Sequence, residues 1–439
     1  MKPNEMKVDL KGILFTGIIV LMLISLVIPG ITGSWVREAN STAFTYAPHY
    51  SKLTSLSSSM SIYLLYILLI VCIWSNQKKG KTLLIVYLCS LVFIVWGLFA
   101  FYEANLQEVL LDDVSINLIL IPLFYILGYE KAIFESAKRL IPFIVVLMVG
   151  LIFWSSLSFV FQYGLSTETR TSPSKEMFAV AISAYWCYSL GMSESKKYHR
   201  SFKYILGICL LICAFLIRSR SWIIQCILLL YAMLAFSAGK NALLRKIVAA
   251  FTVVLVFLLI ILLLPNVTGA LFDRIGQDTR SGQYDTFFSQ VDATSLLWGQ
   301  GRNAGYSFLG ITNYRYFDNQ FIYIMFHYGI VPVLCLLGVI AGLFRKINKD
   351  RFTIEEQAYI VGCRLMSFFF LTALGGLSVY FKFGWNLGTL FVLVFIGRGV
   401  AMMSEARERK RDTELRPRSS VIKGAVYDGS RLKMIENNS

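Results

Sequence analysis

The sequence predicts an all-α polytopic membrane protein with about twelve transmembrane helices and one large outer loop. The chain of 439 residues is 56% hydrophobic and only 15% charged, whereas a soluble domain carries roughly 25% charged residues. Its mean hydropathy is +0.63, and the apolar residues form long uninterrupted blocks instead of short alternating segments. Such blocks indicate spanning helices and argue against barrel strands.

Twelve segments come close to the length of about 20 apolar residues that crosses a membrane. They are 13–33, 57–75, 82–102, 114–129, 141–163, 176–192, 202–217, 221–238, 246–264, 320–343, 362–380 and 384–402. The first follows a basic flank and resembles a signal peptide, but it is long for one and many spans follow, so we interpret it as a retained anchor.

The charges sort the loops into two groups. Lysines and arginines cluster after each even-numbered segment, whereas the loop after the third segment carries only carboxylates. The positive-inside rule therefore predicts that both termini are cytoplasmic. This distribution also explains the net charge of +16, so we expect membrane lipid and no nucleic acid as a partner. The prediction has two parts: a membrane domain at 1–403, with its outer loop at 265–318, and a basic, disordered tail at 404–439.

A pair of arginines, Arg218 and Arg220, lies at the predicted outer turn between the seventh and eighth segments. Charge at membrane depth is costly and usually functional. A guanidinium can bind two phosphate oxygens at once, so we interpret the pair as a site for an anionic ligand. The alternative is that these side chains reach lipid headgroup phosphates.

The outer loop combines arginines with many aromatic residues. Its aromatic rings suit a carbohydrate ligand, and an aromatic belt at the membrane surface explains them equally well. The run Gly299–Gly301 lacks the strand and helix of a nucleotide-binding loop and predicts a turn. Asp318 or Asn319 could cap the helix that follows, and we interpret His327 as a packing or inter-helix polar residue.

Three stretches between about residues 205 and 345 together resemble the O-antigen polymerase and O-antigen ligase superfamily of bacterial membrane glycosyltransferases. They are Leu216–Trp222, similar to a Ser-Arg at a helix start; Arg280–Gln283 with Leu297–Gly301, similar to Ser-Gly-Arg and Leu-x-Gly-x-Gly; and Asp318-Asn319 followed by nine residues and Gly329, similar to His-Asn-x9-Gly of the ligases. Asp318 stands where the ligases have His, and Gln283 stands where Arg is usual. The missing His favours a polymerase.

The resemblance implies a glycosyltransferase of the type C class that joins polysaccharide repeat units on the outer face of the bacterial inner membrane. The donor would be a glycan on undecaprenyl pyrophosphate and the acceptor another lipid-linked unit, with a flippase and a chain-length regulator as possible partners. Neither a metal nor another cofactor is expected. The candidate catalytic residues are Asp318, as the general base, and Arg280; the candidate substrate-binding residues are Arg220, Arg218, Arg302 and Arg274. A ligase-type transferase and a flippase for lipid-linked oligosaccharides are the alternatives.

Overall fold

The computed structural model is mostly helical. It describes residues 9–37, 44–75, 91, 95, 126–164, 169–171, 173–191, 197–216, 220–235, 242–263, 279–301, 303–317, 319–347, 352–377 and 386–415. The helices of this part are α1 Leu10–Thr32, α2 Lys52–Ser75, α3 Lys131–Tyr163, α4 Pro173–Gly191, α5 Lys197–Leu216, α6 Arg220–Ala235, α7 Ala242–Leu263, α8 Thr279–Gln290, α9 Ala293–Trp298, α10 Gln320–Tyr328, α11 Ile330–Ala341, α12 Ile354–Thr372 and α13 Leu387–Leu415.

Two small sheets accompany the helices. The strands are β1 Ser34–Arg37, β2 Phe44–Ala47, β3 Thr169–Thr171, β4 Tyr306–Phe308 and β5 Ile311–Tyr314. The first three form one sheet in the order β1-β2-β3, with β1 and β2 antiparallel and β2 and β3 parallel. Strands β4 and β5 form an antiparallel hairpin.

Helix α13 lies at the centre of the bundle, in contact with α4 and α12. Every residue from 387 to 401 is buried, which explains why this stretch is apolar on all sides. Small residues let its neighbours approach closely. A Cβ at Gly388 would lie 2.8 Å from the hydroxyl of Ser183 in α4, and one at Gly399 would lie 3.0 Å from the Sγ of Cys363 in α12. This is the small-residue packing expected between membrane helices.

Helices α3, α4 and α13 align so that segments with basic residues share one end of the bundle. Gly128, just before α3, packs so closely on α13 that a Cβ would lie 2.6 Å from the backbone nitrogen of Arg398. Gly191, the last residue of α4, packs against Phe395 of the same helix. Helix α5 then begins at Lys197.

Helices α11 and α12 meet at this same end. Gly362 in α12 contacts the carbonyl group of Leu190 near the end of α4. The guanidinium of Arg364 donates to the carbonyl oxygen of Arg345 at 2.6 Å. The basic residues predicted after the fourth, sixth and tenth segments therefore gather at one end, which we term the basic end; its residues are Lys131–Arg139, Lys197–Lys203 and Arg345–Lys346.

The opposite end, termed the loop end, carries the three-stranded sheet and the starts of α4, α6 and α13. Trp35 in β1 packs on Phe159 near the end of α3, with ring centroids 4.4 Å apart. Trp222 in the first turn of α6 stacks on Phe178 near the start of α4 at 4.1 Å. A single π-helical turn, Ala373–Leu377, ends α12 here and contacts both α6 and α10.

Five helices of the described part are long and apolar enough to cross a membrane. They are Leu10–Thr32, Lys52–Cys72, Lys131–Tyr163, Ile354–Gly376 and Leu387–Ala406, and three shorter apolar helices lie at Ser201–Leu216, Ser221–Ala235 and Ile330–Phe344. The prediction of a helical membrane protein is confirmed at this level, whereas the number of about twelve spans stays a prediction. The predicted span 82–102 has only residues 91 and 95 in the described part, and the span 114–129 has only 126–129.

The predicted span 320–343 consists of two helices, and its crossing of the membrane stays a prediction. The chain breaks at Gly329 into α10 and α11, because Gly329 has φ 80° and ψ −179°, which no helix contains. Helix α10 has nine residues. Its Ile322 and Phe326 pack in the core of the outer loop described below, and its Ile324 and Tyr328 lie in the main core of the bundle. The hydropathy stays high across this break because both helices are apolar, so hydropathy alone does not show it.

The last helix also differs from its predicted bounds. We placed the end of the twelfth span at 402 and a disordered tail from 404, yet α13 continues to Leu415. The added turns contain mostly Glu, Arg, Lys and Ala, which favour helix despite their polarity. Residues 416–439 of the predicted tail lie outside the described residues.

Candidate functional site

Residues 279–328 of the predicted outer loop and its following helix fold into a small unit, which we term the loop subdomain. Helices α8, α9 and α10 and the β4–β5 hairpin enclose an apolar cluster of Phe287, Val291, Tyr306, Phe317, Ile322 and Phe326. The ring of Phe287 lies edge-on to those of Tyr306, Phe317 and Phe326, with centroids 4.8–5.1 Å apart. These aromatic residues are therefore a packed core, an explanation that neither sequence-based alternative included.

Two glycine turns cross at the base of the loop subdomain. Gly299 ends α9 with φ 82°, and Gly329 ends α10 with φ 80°. A Cβ on Gly299 would lie 2.6 Å from the backbone nitrogen of Gly329. A Cβ on Gly329 would lie 2.6 Å from the carbonyl oxygen of Leu297. Each position requires glycine twice, once for its left-handed backbone and once for the close approach of the other chain segment.

Backbone hydrogen bonds hold the crossing together. The backbone N–H groups of Gln300 and Gly301 donate to the carbonyl oxygens of Phe326 and His327 at 2.8 and 3.0 Å. These carbonyls belong to the last turn of α10, where carbonyl groups have no N–H donor within their own helix. The segment 299–301, for which we predicted a turn, caps the C-terminus of another helix.

His327 adds side-chain contacts at the same place. Its Nδ1 lies 3.0 Å from the carbonyl oxygen of Gly301, and its Nε2 lies 3.5 Å from that of Arg315. Burial lowers the pKa of His327 from its ordinary value, although both carbonyl oxygens favour the protonated form, so the ring is neutral at pH 7. We interpreted His327 as a packing or inter-helix polar residue; its two polar contacts are to loop backbone and not to another helix.

Gln283 stands where the family pattern has arginine, and it is buried inside the loop subdomain. Its Nε2 donates to the hydroxyl oxygen of Tyr306 at 2.7 Å and to the carbonyl oxygen of Tyr316 at 3.1 Å. The side chain thus ties α8 to β4 and to the segment just before position 318. A longer charged side chain could not occupy this buried place without an anionic partner.

Replacing Gln283 by leucine is expected to destabilise the loop subdomain by about 1–3 kcal/mol, because two hydrogen bonds are lost and the Tyr306 hydroxyl and Tyr316 carbonyl keep only the bond between them at 3.1 Å. Thermal unfolding and limited proteolysis of the full chain in detergent measure the loss. Gln300→Leu is the matched control, since the Gln300 side chain is exposed and donates to the Ser295 hydroxyl. Equal stability of the two variants would contradict the assigned role of Gln283.

Asn319 resolves the question of which residue caps α10. Its Oδ1 accepts hydrogen bonds from the backbone nitrogens of Phe321 and Ile322 at 3.0 and 3.3 Å. This is the arrangement of an N-cap residue. Helix α10 therefore does not need Asp318 as its cap, and capping no longer explains why a carboxylate stands at position 318.

The candidate arginines occupy the loop end as far as their backbone is described. Arg220 is the first residue of α6, and Arg280 is the second residue of α8; the side chains of both lie outside the described part. Arg218, Arg274, Arg302 and Asp318 lie outside the described residues. The sequence neighbours of the last two, Gly301 and Asn319, are described.

The π-helical turn Ala373–Leu377 links these elements. A Cβ on Gly375 would lie 3.9 Å from the ring of Phe321, and one on Gly376 would lie 4.0 Å from the Cα of Asn319. Helix α6, which Arg220 begins, contacts the same turn. These distances are ordinary van der Waals contacts, and Gly376 is required by its φ of 102°.

Within the described part of the chain, no group of three or more His, Cys, Asp or Glu side chains comes together as a metal site would require. Comparisons with protein-family models, with curated proteins and with solved structures found no match to this chain. The functional argument therefore depends on the residues and on their placement in this fold.

Proposed function

We propose that this protein is a polysaccharide repeat-unit polymerase of the bacterial inner membrane. The observation that carries the proposal is the crossing of Gly299 and Gly329. These glycines come from two of the stretches that resemble the O-antigen polymerase superfamily. Helix α10 of the loop subdomain and helix α6, whose start belongs to the third stretch, both contact the π-helical turn Ala373–Leu377. A shared location for all three is what a single active site would need.

The proposed orientation puts the basic end in the cytoplasm and the loop subdomain outside. In this arrangement about twelve spans cross the membrane, the tenth starting after Gly329, and both termini are cytoplasmic. The collection of Lys131–Arg139, Lys197–Lys203 and Arg345–Lys346 at one end supports it, because basic loops stay on the cytoplasmic side.

The orientation can be tested with single cysteines at two exposed positions. Thr312→Cys lies in the hairpin and Lys346→Cys at the basic end. A membrane-impermeant maleimide is expected to label the first in intact cells, and the second only after the cells are opened. The unmodified chain is the control for its native cysteines. Labelling of Lys346→Cys in intact cells would contradict the proposed orientation.

The proposed reaction transfers a glycan from undecaprenyl pyrophosphate to a lipid-linked acceptor. The acceptor hydroxyl oxygen attacks the anomeric carbon of the donor while the bond from that carbon to the pyrophosphate oxygen breaks. The hydroxyl proton passes to a carboxylate, for which Asp318 is the candidate. Undecaprenyl pyrophosphate leaves with the bonding electron pair, and its negative charge increases as the bond breaks.

Arginine suits the departing pyrophosphate, because it remains protonated and binds two oxygens in one plane. We assign Arg220, Arg218, Arg302 and Arg274 to binding of pyrophosphate and glycan, and Arg280 to stabilising the charge that develops during transfer. The loop subdomain supports this assignment, because the described residues next to Arg302 and Asp318 in the sequence belong to segments that pack around one small core.

The direct test of the chemistry uses the full chain, purified in detergent, and lipid-linked repeat units extracted from a strain that lacks the gene. A polymerase is expected to convert single units into products of two or more repeats. If the protein transfers the units to a different acceptor and makes no product of two or more repeats, the polymerase proposal fails and a ligase is indicated.

A further inference from the structure

His327 contacts two distant segments of the loop subdomain from one buried position. Its ring is 2% exposed, at the last turn of α10. Gly301, whose carbonyl oxygen lies 3.0 Å from Nδ1, is 26 positions away in the sequence, and Arg315, whose carbonyl oxygen lies 3.5 Å from Nε2, is 12 positions away. Both contacts are to backbone, so what the ring controls is the path of the chain.

The two contacts are not equivalent. A neutral imidazole has one N–H group, and the shorter distance assigns it to Nδ1, which donates to Gly301. A separation of 3.5 Å at Nε2 is beyond the usual range of a hydrogen bond. The ring therefore acts mainly on Gly301, whose own N–H donates back to the carbonyl oxygen of His327 at 3.0 Å.

Gly301 also bonds to a residue three positions further along the chain. Its carbonyl oxygen accepts the backbone N–H of Ala304 at 3.3 Å. The side-chain oxygen of Asn303 lies 3.5 Å from the guanidinium of Arg315. The position before residue 302 is thus anchored by short hydrogen bonds, and His327 supplies the side-chain anchor there.

We propose that His327 is the positioning residue of this site: it holds the Gly301–Ala304 turn and so sets where the chain presents Arg302. The inference rests on the proposed polymerase function for its consequence in catalysis. His327 is not itself the base, because both ring nitrogens face backbone oxygens and the ring is buried from the substrate.

Three replacements separate the positioning role from simple packing. His327→Asn puts an amide nitrogen close to the place of Nδ1, His327→Gln puts one close to the place of Nε2, and His327→Phe keeps the ring without a donor. The substrate is the lipid-linked repeat unit extracted from the deletion strain. We expect kcat of the Phe and Gln variants to fall about 10–100-fold, as for a misplaced catalytic group, with KM within about threefold and with recovery in the Asn variant.

A double-mutant cycle tests whether His327 acts through position 302. Arg302→Lys is expected to retain partial activity, and adding His327→Phe to it should lower kcat by much less than in the otherwise unchanged chain, since residues that act together are not additive. Gln283→Leu is the matched control, because the hydrogen-bond partners of its side chain are Tyr306 and Tyr316, and its effect should add to that of Arg302→Lys.

Trypsin supplies a readout that needs no activity, because it cleaves after arginine. Faster cleavage after Arg302 in His327→Phe than in His327→Asn is expected if the ring holds the turn. Failure of the unchanged chain to elongate any unit would remove the polymerase proposal, and the tryptic pattern would then decide the positioning role by itself. Normal kcat or normal cleavage in His327→Phe, or equal losses in all three variants, would overturn the inference.

Discussion

Replacing Gly329 by alanine is expected to unfold the loop subdomain and to abolish polymer formation. The new Cβ would lie 2.6 Å from the carbonyl oxygen of Leu297 and 2.9 Å from the carbonyl carbon of Trp298. Both atoms are backbone, so no side chain can move aside to relieve the contact. Gly299→Ala should have the same effect, since its Cβ would lie 2.6 Å from the backbone nitrogen of Gly329.

Two other glycines separate the contact from the conformational requirement. Gly310 has φ 80° and no atom within 4 Å of its Cβ position, so Gly310→Ala should show only the conformational term of about 1–2 kcal/mol. Gly338 lies in α11, also with open space, and Gly338→Ala should be neutral or stabilise the helix by up to about 1 kcal/mol. Tryptic fragments of the full chain and the amount of folded protein in detergent measure each variant. If Gly329→Ala behaves as Gly338→Ala does, the crossing is not formed in the protein.

Removing the charge at Arg220 is expected to abolish long polymer while the protein still inserts and accumulates. Loss of one group that stabilises developing charge lowers kcat by about 100–1,000-fold in other enzymes, which would reduce the product to single repeat units. Arg280→Ala should act in the same direction. Arg220→Lys tests the geometry, because an ammonium cannot bind two phosphate oxygens in a plane. Surface polysaccharide length on gels, with protein level checked by immunoblot, is the measurement.

The matched control for the arginines is Arg139→Ala, which removes a charge from an exposed position at the basic end. It should leave polymer length unchanged. Long polymer of normal length from both Arg220→Ala and Arg280→Ala would remove these residues from the site. A fully active Arg220→Lys variant would indicate that only a positive charge is needed there.

The helices were predictable from hydropathy, and their ends only partly so. The first predicted span, 13–33, matches Leu10–Thr32 closely, because apolar residues stop at both ends. The break at Gly329 was not predicted, since a hydropathy average does not register one glycine between two apolar runs. A glycine directly after a helical stretch is the signal that could have shown it, because glycine commonly adopts the left-handed conformation at a helix C-terminus.

The site was predictable only as a set of motifs. The resemblance selected Gly299, Gly301 and Gly329, but their contact joins segments about thirty residues apart, and no local pattern encodes such a contact. The role of Gln283 was likewise hidden, because its partners Tyr306 and Tyr316 become neighbours only when the loop subdomain packs. The positions of Asp318 and Arg302 stay predictions that the experiments on their described neighbours address.

The most direct test of the central claim is the length of surface polysaccharide in a strain from which the gene is deleted, with and without the gene restored. The polymerase account predicts single repeat units in the deletion strain and a ladder of many lengths after complementation. Full-length polymer that accumulates on its lipid carrier in the deletion strain would contradict the account and indicate a ligase. Repeat units trapped on the cytoplasmic face would also contradict it and indicate a flippase.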